Sequence, residues 1–154
     1  MSLPVSLSAV VDELEMVSSD INAYINKMTG ELFSVSNEEL VIVETGYEAD
    51  DVGEWQLELL AMAEKVLNST DYLQLPTSFD IHEWAIMQEF CATVESHRQR
   101  TNLLNQIHGK GAFRKFKETL VRYNLLDEWY AFHKAALTRI AIDFLEKAGI
   151  PFVP

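Results

Sequence analysis

Apolar and polar positions change their period along the chain, and the changes divide it. Residues 7–17, LSAVVDELEMV, repeat at helical spacing behind Ser6 or Ser8, either of which can accept from a free amide as an N-cap. Ile21, Ala23 and Ile25 then alternate with Asn22, Tyr24 and Asn26, the two-residue period of a strand. Gly30 supplies the left-handed residue of a tight turn and Leu32 to Val35 return, which predicts a β-hairpin. Ser36 and Glu39 have the spacing of a capping box ahead of NEELVIVE. Four consecutive apolar residues, 40–43, have no diagnostic period and leave helix and strand both open there. Residues 44–54 read as an acidic loop. Asp51 and Glu54 suggest a second box, opening a helix over 52–68 with Val52, Trp55, Leu59, Met62 and Val66 as its packed face. YLQLP at 72–76 reads as a third short strand ended by Pro76, enough to turn a marginal hairpin into a small antiparallel sheet.

From Asp80 onward every period is helical. Asp80 with Glu83 suggests a third box, and Phe79 with Trp84 has the spacing of a hydrophobic staple. The helix to Val94 is apolar on most sides, so it is expected at the centre of a bundle. Ser96 and Gln99 open the next helix, with Leu103, Leu104 and Ile107 as its stripe and Gly109 closing it. Another runs from near Gly111 to Asn124. The last covers 126–148, with Trp129, Phe132, Ala136, Ile140 and Phe144 on one face, and is stopped by Gly149 and Pro151. The expected fold class is α+β and predominantly helical: an N-terminal hairpin or small antiparallel sheet packed with a C-terminal helical bundle. The length of 154 residues fits a single domain, 1–154, with an α+β portion over 1–79 and a helical portion over 80–154.

Charge sharpens this division. Residues 1–80 hold 16 acidic groups against Lys27 and Lys65, a balance of −14, while 81–154 hold 8 acidic and 10 basic groups, a balance of +2. An acidic half repels nucleic acid and anionic lipid at long range, so any anion contact has to be local. No apolar run reaches the ~18 residues of a spanning helix, and the N-terminus lacks the basic region of a secretory signal. With Cys91 as the single cysteine, no internal disulfide can form. The expectation is a cytoplasmic protein without membrane contact.

The stretch richest in candidate chemistry is IHGKGAFRKFKETLVRY, Ile107 to Tyr123. It is not a phosphate loop: Gly109-Lys110-Gly111 follows a helix, and Ala112 stands where a hydroxyl is required. The glycines fit a corner between two helices. At ~100° per residue, Phe113, Phe116, Leu120 and Tyr123 fall on one expected core face, with Arg114, Lys115 and Arg122 opposite and Lys117 at the boundary. Glu118 is four residues from both Arg114 and Arg122 and can pair with either. Lys110, Gly111, Arg114, Lys115, Lys117 and Arg122 are therefore the candidate residues for holding an anion or an acidic partner. RNA is the alternative ligand.

The remaining reactive groups read as structural. HEWAIM has Ile86 where a zinc-protease helix needs its second histidine. Capping accounts for His82 beside Asp80 and Glu83, and His133 lies one turn from Trp129 for stacking. Cys91 sits on an apolar helix as a small hydrophobe. The acidic loop lacks the oxygen spacing of a calcium site. No catalytic residue, metal or cofactor is implied.

The run Gly109, Lys110, Gly111, Ala112, Phe113, Arg114, Lys115, Phe116, Lys117, Glu118, followed by Trp129, Tyr130 and Phe132, resembles a bacterial uncharacterised protein family. That family is marked by a Gly-basic-Gly-Ala-Phe-Arg-basic-Phe-Lys run and a following Trp-Tyr-x-Phe. LPTSFDIHEWAIMQEF and YINKMTGEL resemble its earlier blocks. The resemblance implies no activity. The function expected from the residues is a non-enzymatic interaction or regulatory protein that meets an acidic protein partner or a second copy of itself, with nucleic-acid binding as the alternative and an enzyme third.

Overall fold

The computed structural model describes residues 4–154. It is α+β and predominantly helical, and it divides into two compact units. One takes in the chain up to Ile81 together with Thr138–Pro154; the other is His82–Leu137.

The first unit is built on a three-stranded antiparallel sheet, β2 (Ile21–Asn26), β3 (Leu32–Ser36) and β4 (Tyr72–Gln74), in the order β3-β2-β4. Tyr24 stands opposite Phe33 and Ile25 opposite Leu32, the register the hydrophobic alternation demands. Asn26 shapes the turn. Its side-chain oxygen accepts from the amides of Met28 and Thr29 at 2.8 and 3.1 Å, and Gly30 takes φ 80° beyond it. A Cβ on Gly30 would lie 2.9 Å from Val5 Cγ1, so both the turn and this close approach require glycine. Tyr24, Phe33 and Val35 present one sheet face to α2 (Asn37–Thr45) and α3 (Glu54–Asn68), where Ala63 is buried and Leu40, Val43 and Val66 pack alongside. Ala23 and Ile25, buried at 1% and 0%, point the other way, and α1 (Leu7–Met16) packs against β2 and β3.

Capping chemistry set several boundaries as expected. Ser6 caps α1, accepting from Ala9 N at 3.2 Å. The box at Ser36 and Glu39 has both arms, at 3.3 and 3.1 Å, and resolves residues 40–43 as helix. The second box does not form. Asp51 lies in a 3-10 turn, and α3 starts from Gly53 with no side-chain cap. Its packed face is only partly the expected one: Val66 packs on the core cluster. Leu60 and Ala63 are fully buried, whereas Trp55 is 72% exposed and Met62 36%. Ala63, with no bulk beyond Cβ, lets the helix sit close on Tyr24 and Phe33, and that approach outweighs the stripe of larger side chains.

The third box is displaced by one turn. Thr77 N donates to Asp80 Oδ2 at 3.0 Å and Asp80 N to Thr77 Oγ1 at 3.2 Å, opening the short helix α4 (Ser78–Ile81). His82 then takes φ 55°, which breaks the helix, and α5 (Glu83–Thr93) begins anew. Of the two staple residues, Phe79 is 79% exposed and Trp84 45%.

The second unit contains α5, α6 (His97–Gln106), α7 (Ala112–Arg122) and the first half of α8 (Leu126–Ala148). α5 buries Ile86, Met87, Phe90 and Cys91, as its all-round apolarity implied. α8 ends at the expected residue: Gly149 takes φ 71°, and the amides of Gly149 and Ile150 reach back to the carbonyls of Glu146 and Leu145. One pairing has no counterpart in the periodic pattern. β1 (Val5–Ser6) and β5 (Phe152–Val153) form a parallel bridge of two residues each, with Val5 N donating to the Pro151 carbonyl at 3.0 Å.

Ser36→Ala removes the oxygen that caps α2 and is expected to cost about 1 kcal/mol. Urea unfolding checks this; a change indistinguishable from zero would mean the box does not hold the helix start.

Candidate functional site

The basic helix α7 is oriented by three aromatic rings of the second unit. Phe116, fully buried, meets Trp129 edge to face at 5.0 Å and Phe90 at 6.4 Å, and Phe90 meets Trp129 at 5.5 Å. Leu120 is also fully buried, one turn further on. Tyr123 is half-buried, its hydroxyl accepting from Asn102 Nδ2 at 2.6 Å. Phe113 departs from the expected core face and is 49% exposed. It stands roughly 60° from Phe116 on the helix wheel, in the first turn of α7.

Phe113 borders a seam between α7 and α8. Lys117 Nζ lies 5.6 Å from the Phe113 ring centre and 5.4 Å from that of Tyr130, itself 48% exposed. The ammonium is held over two π-faces and its stem is half-buried between them. Val121, 61% exposed, continues the seam one turn along α7. Outward of it stand Lys110, Arg114, Lys115 and Arg122, all exposed, as the sequence implied. Glu118 chooses between its two possible partners: Arg114 Nε donates to Glu118 Oε1 at 3.2 Å. The pair is open to solvent, so it contributes little to stability and leaves the face net positive.

The corner before α7 differs in one detail from the glycine reading. α6 ends with Ile107 as its C-cap, so Gly109, at φ 81°, lies two residues past it. The Ile107 carbonyl accepts from the indole of Trp84 at 2.8 Å. Gly111, at φ 70°, is the N-cap of α7 and offers no side-chain cap. The candidates Lys110, Gly111, Arg114, Lys115, Lys117 and Arg122 therefore sit on one helix and its N-terminal turn. Lys117 is drawn to the seam, while Arg122 and Lys115 stand on the opposite flank.

Two histidines and the cysteine have neighbours elsewhere in this unit. His133 Nε2 lies 2.9 and 3.0 Å from the two carboxylate oxygens of Glu83, and its ring packs on Trp129 at 5.2 Å. The stacking was expected; the Glu83 partner, fifty residues away, was not. Trp84 packs against His108 at 5.9 Å. Cys91 is fully buried, and desolvation pushes its thiol from an ordinary 9.0 up to about 11. An open depression of about 490 Å³ is lined by Phe90, Val94, Glu95, Ser96, Leu125 and Glu128 among others, none of them a histidine or the cysteine. Among the described residues no group of three His, Cys, Asp or Glu side chains is gathered as a metal ion requires. No helix among them is long and apolar enough to cross a membrane.

A family model described as Uncharacterised protein family (UPF0158) matches residues 2–154. A UPF0158 protein of Pseudomonas aeruginosa is 33% identical over 66 residues. That match covers 42% of this chain and 43% of the relative, so it spans less than half of either. No solved structure matches.

Two outcomes follow from this geometry. Glu118→Ala frees Arg114 and is expected to leave stability within about 0.5 kcal/mol while raising affinity for polyanions; a large loss of stability would show that the pair supports the helix. Native Cys91 should resist an aromatic disulfide reagent at mildly alkaline pH and react once the chain unfolds. Its folded pKa lies above the unfolded one, so the associated stability is complete below the unfolded value of about 9 and declines as pH rises towards about 11. Rapid labelling of the native protein would contradict that burial.

Proposed function

The chain belongs to the UPF0158 family, whose members are uncharacterised, and from that premise we propose that it is a non-enzymatic, cytoplasmic interaction or regulatory protein that receives an acidic partner on α7. One observation carries the reading. The seam of Phe113, Lys117 and Tyr130 joins exposed aromatic rings to a cation already held by them, beside Lys110 and Arg114. Exposed aromatic rings beside arginine are the composition of interface hot spots. The cations give such a surface an electrostatic preference for carboxylates and a fast, salt-sensitive encounter.

The burial of Cys91 disfavours a thiolate nucleophile and so favours an interaction role. His133 is committed to Glu83 and Trp129, and Cys91 is buried with a raised pKa. We also take the Gly109–Glu118 run and the following Trp129-Tyr130-x-Phe132 as the mark of the family. In this chain that run supplies both the buried anchors, Phe116 and Trp129, and the surface cations.

RNA is the second reading, favoured by the exposure of the Phe113 and Tyr130 rings, which could stack on bases. It ranks below the protein reading because Lys117 already covers a face of both rings. The test is fluorescence anisotropy of a labelled glutamate-rich peptide and a labelled single-stranded RNA, titrated with the protein at rising salt. The expected result is peptide binding that weakens steeply with salt and falls at least ~10-fold when Arg114, Lys115 and Lys117 are changed to glutamate. RNA bound more tightly than peptide would favour the second reading. Neither ligand binding at low salt would overturn both.

A further inference from the structure

We infer that the acidic partner of the α7 face is α3 of a second copy of this chain, docked through Trp55. The inference rests on the interaction reading above and names its partner. Trp55, Leu59 and Met62 recur at helical spacing on one face of α3, a stripe of the kind that normally packs. In the first unit the N-terminal part of that stripe is largely open: Ala63 meets the sheet cluster, whereas Trp55 is 72% exposed, Met62 36% exposed and Leu59 half-buried.

The Trp55 indole lies against the backbone that precedes its helix. A Cβ on Gly53 would fall 2.9 Å from its Nε1 and 3.1 Å from its Cδ1, so the indole rests directly on the Gly53 backbone. Tryptophan is the side chain most enriched at interface anchors.

The rim of the stripe identifies the occupant. Glu54 and Glu58, both exposed, flank Trp55 at one residue before and three after, and 16 acidic groups against two lysines fill the chain up to residue 80. An apolar stripe with an acidic rim calls for an apolar surface with a basic rim. The same chain carries one on α7 and α8: Phe113, Val121 and Tyr130 exposed, bordered by Lys110 and Arg114. The indole adds a π-face that a cation of the other copy can cover. Every solution of the protein holds both faces at equal concentration. The contact is heterologous, one patch meeting a different patch, so the size of the assembly depends on whether successive copies close a ring.

Sedimentation velocity of the full chain over a wide concentration range, at low and at high salt, tests this. The expected result is reversible association at low salt that salt weakens. Trp55→Ala, a change at an exposed side chain, should weaken it at least ~10-fold with an unchanged circular dichroism spectrum and unfolding midpoint. Reversal of Arg114, Lys115 and Lys117 to glutamate, or of Glu54 and Glu58 to lysine, should each abolish association, and mixing the two reversed chains should restore it. The unaltered acidic α3 of one then meets the unaltered basic α7 of the other, and the two reversed faces are complementary as well. A monomer at every concentration in low salt overturns the inference, as does association that survives Trp55→Ala or either reversal. A monomeric protein that still binds the glutamate-rich peptide overturns the second copy as partner and leaves the acidic-partner reading standing. A monomer that binds no peptide overturns both.

Discussion

The edge-to-face packing of Phe116 on Trp129 and Phe90 fixes the register of the basic helix α7. These rings meet at 5.0 to 6.4 Å in the second unit, and Phe116 and Trp129 are almost entirely removed from water. Aromatic contacts of this kind add directional preference to the burial of large apolar area. The rotation of α7 follows from them. With Phe116 and Leu120 inward, Arg114 points to solvent, and Phe113 and Lys117 are left at the boundary facing Tyr130. Turning α7 by a third of a revolution would bury cations without partners, which costs far more than the rings gain. The apolar anchor and the basic face are thus two consequences of one helix register.

The same logic explains why a cation sits between rings there. Lys117 is too close to the core face to reach bulk water freely and too polar to be buried. Its stem lies on apolar surface while the ammonium is received by two π-faces. A surface formed in this way is already partly desolvated, which lowers the cost of covering it with a partner. In the first unit the structural requirement is different. There Ala63 brings α3 onto the sheet, and the larger side chains one stripe over remain outside.

Much of this was legible in the sequence because it is local. The box at Ser36 and Glu39, the caps at Ser6 and Ser96, the turn at Gly30 and the end of α8 at Gly149 depend on neighbours within a few residues, and each formed. The exposure of Arg114, Lys115 and Arg122 was likewise readable from one helix wheel. Features that depend on distant partners were not. The wheel could not place Phe113 at a seam, because Tyr130 comes from another helix. Periodicity could not choose between the Trp55 and Ala63 stripes of α3, because that choice belongs to the sheet. The boxes at Asp51 and Asp80 matched the pattern but lost to a glycine start and to Thr77. Glu83 with His133, and Val5 with Phe152, join residues far apart in the chain and leave no local signal.

The central claim is that the α7–α8 seam and its basic border form the binding surface. Amide chemical-shift mapping by NMR, with a glutamate-rich peptide titrated into the isotope-labelled full chain, addresses it most directly. The account predicts shifts concentrated in residues 110–122 and around Tyr130, with the Phe90 and Trp129 core undisturbed. Shifts concentrated elsewhere, or none at a salt concentration low enough to expose weak ionic contacts, would contradict it.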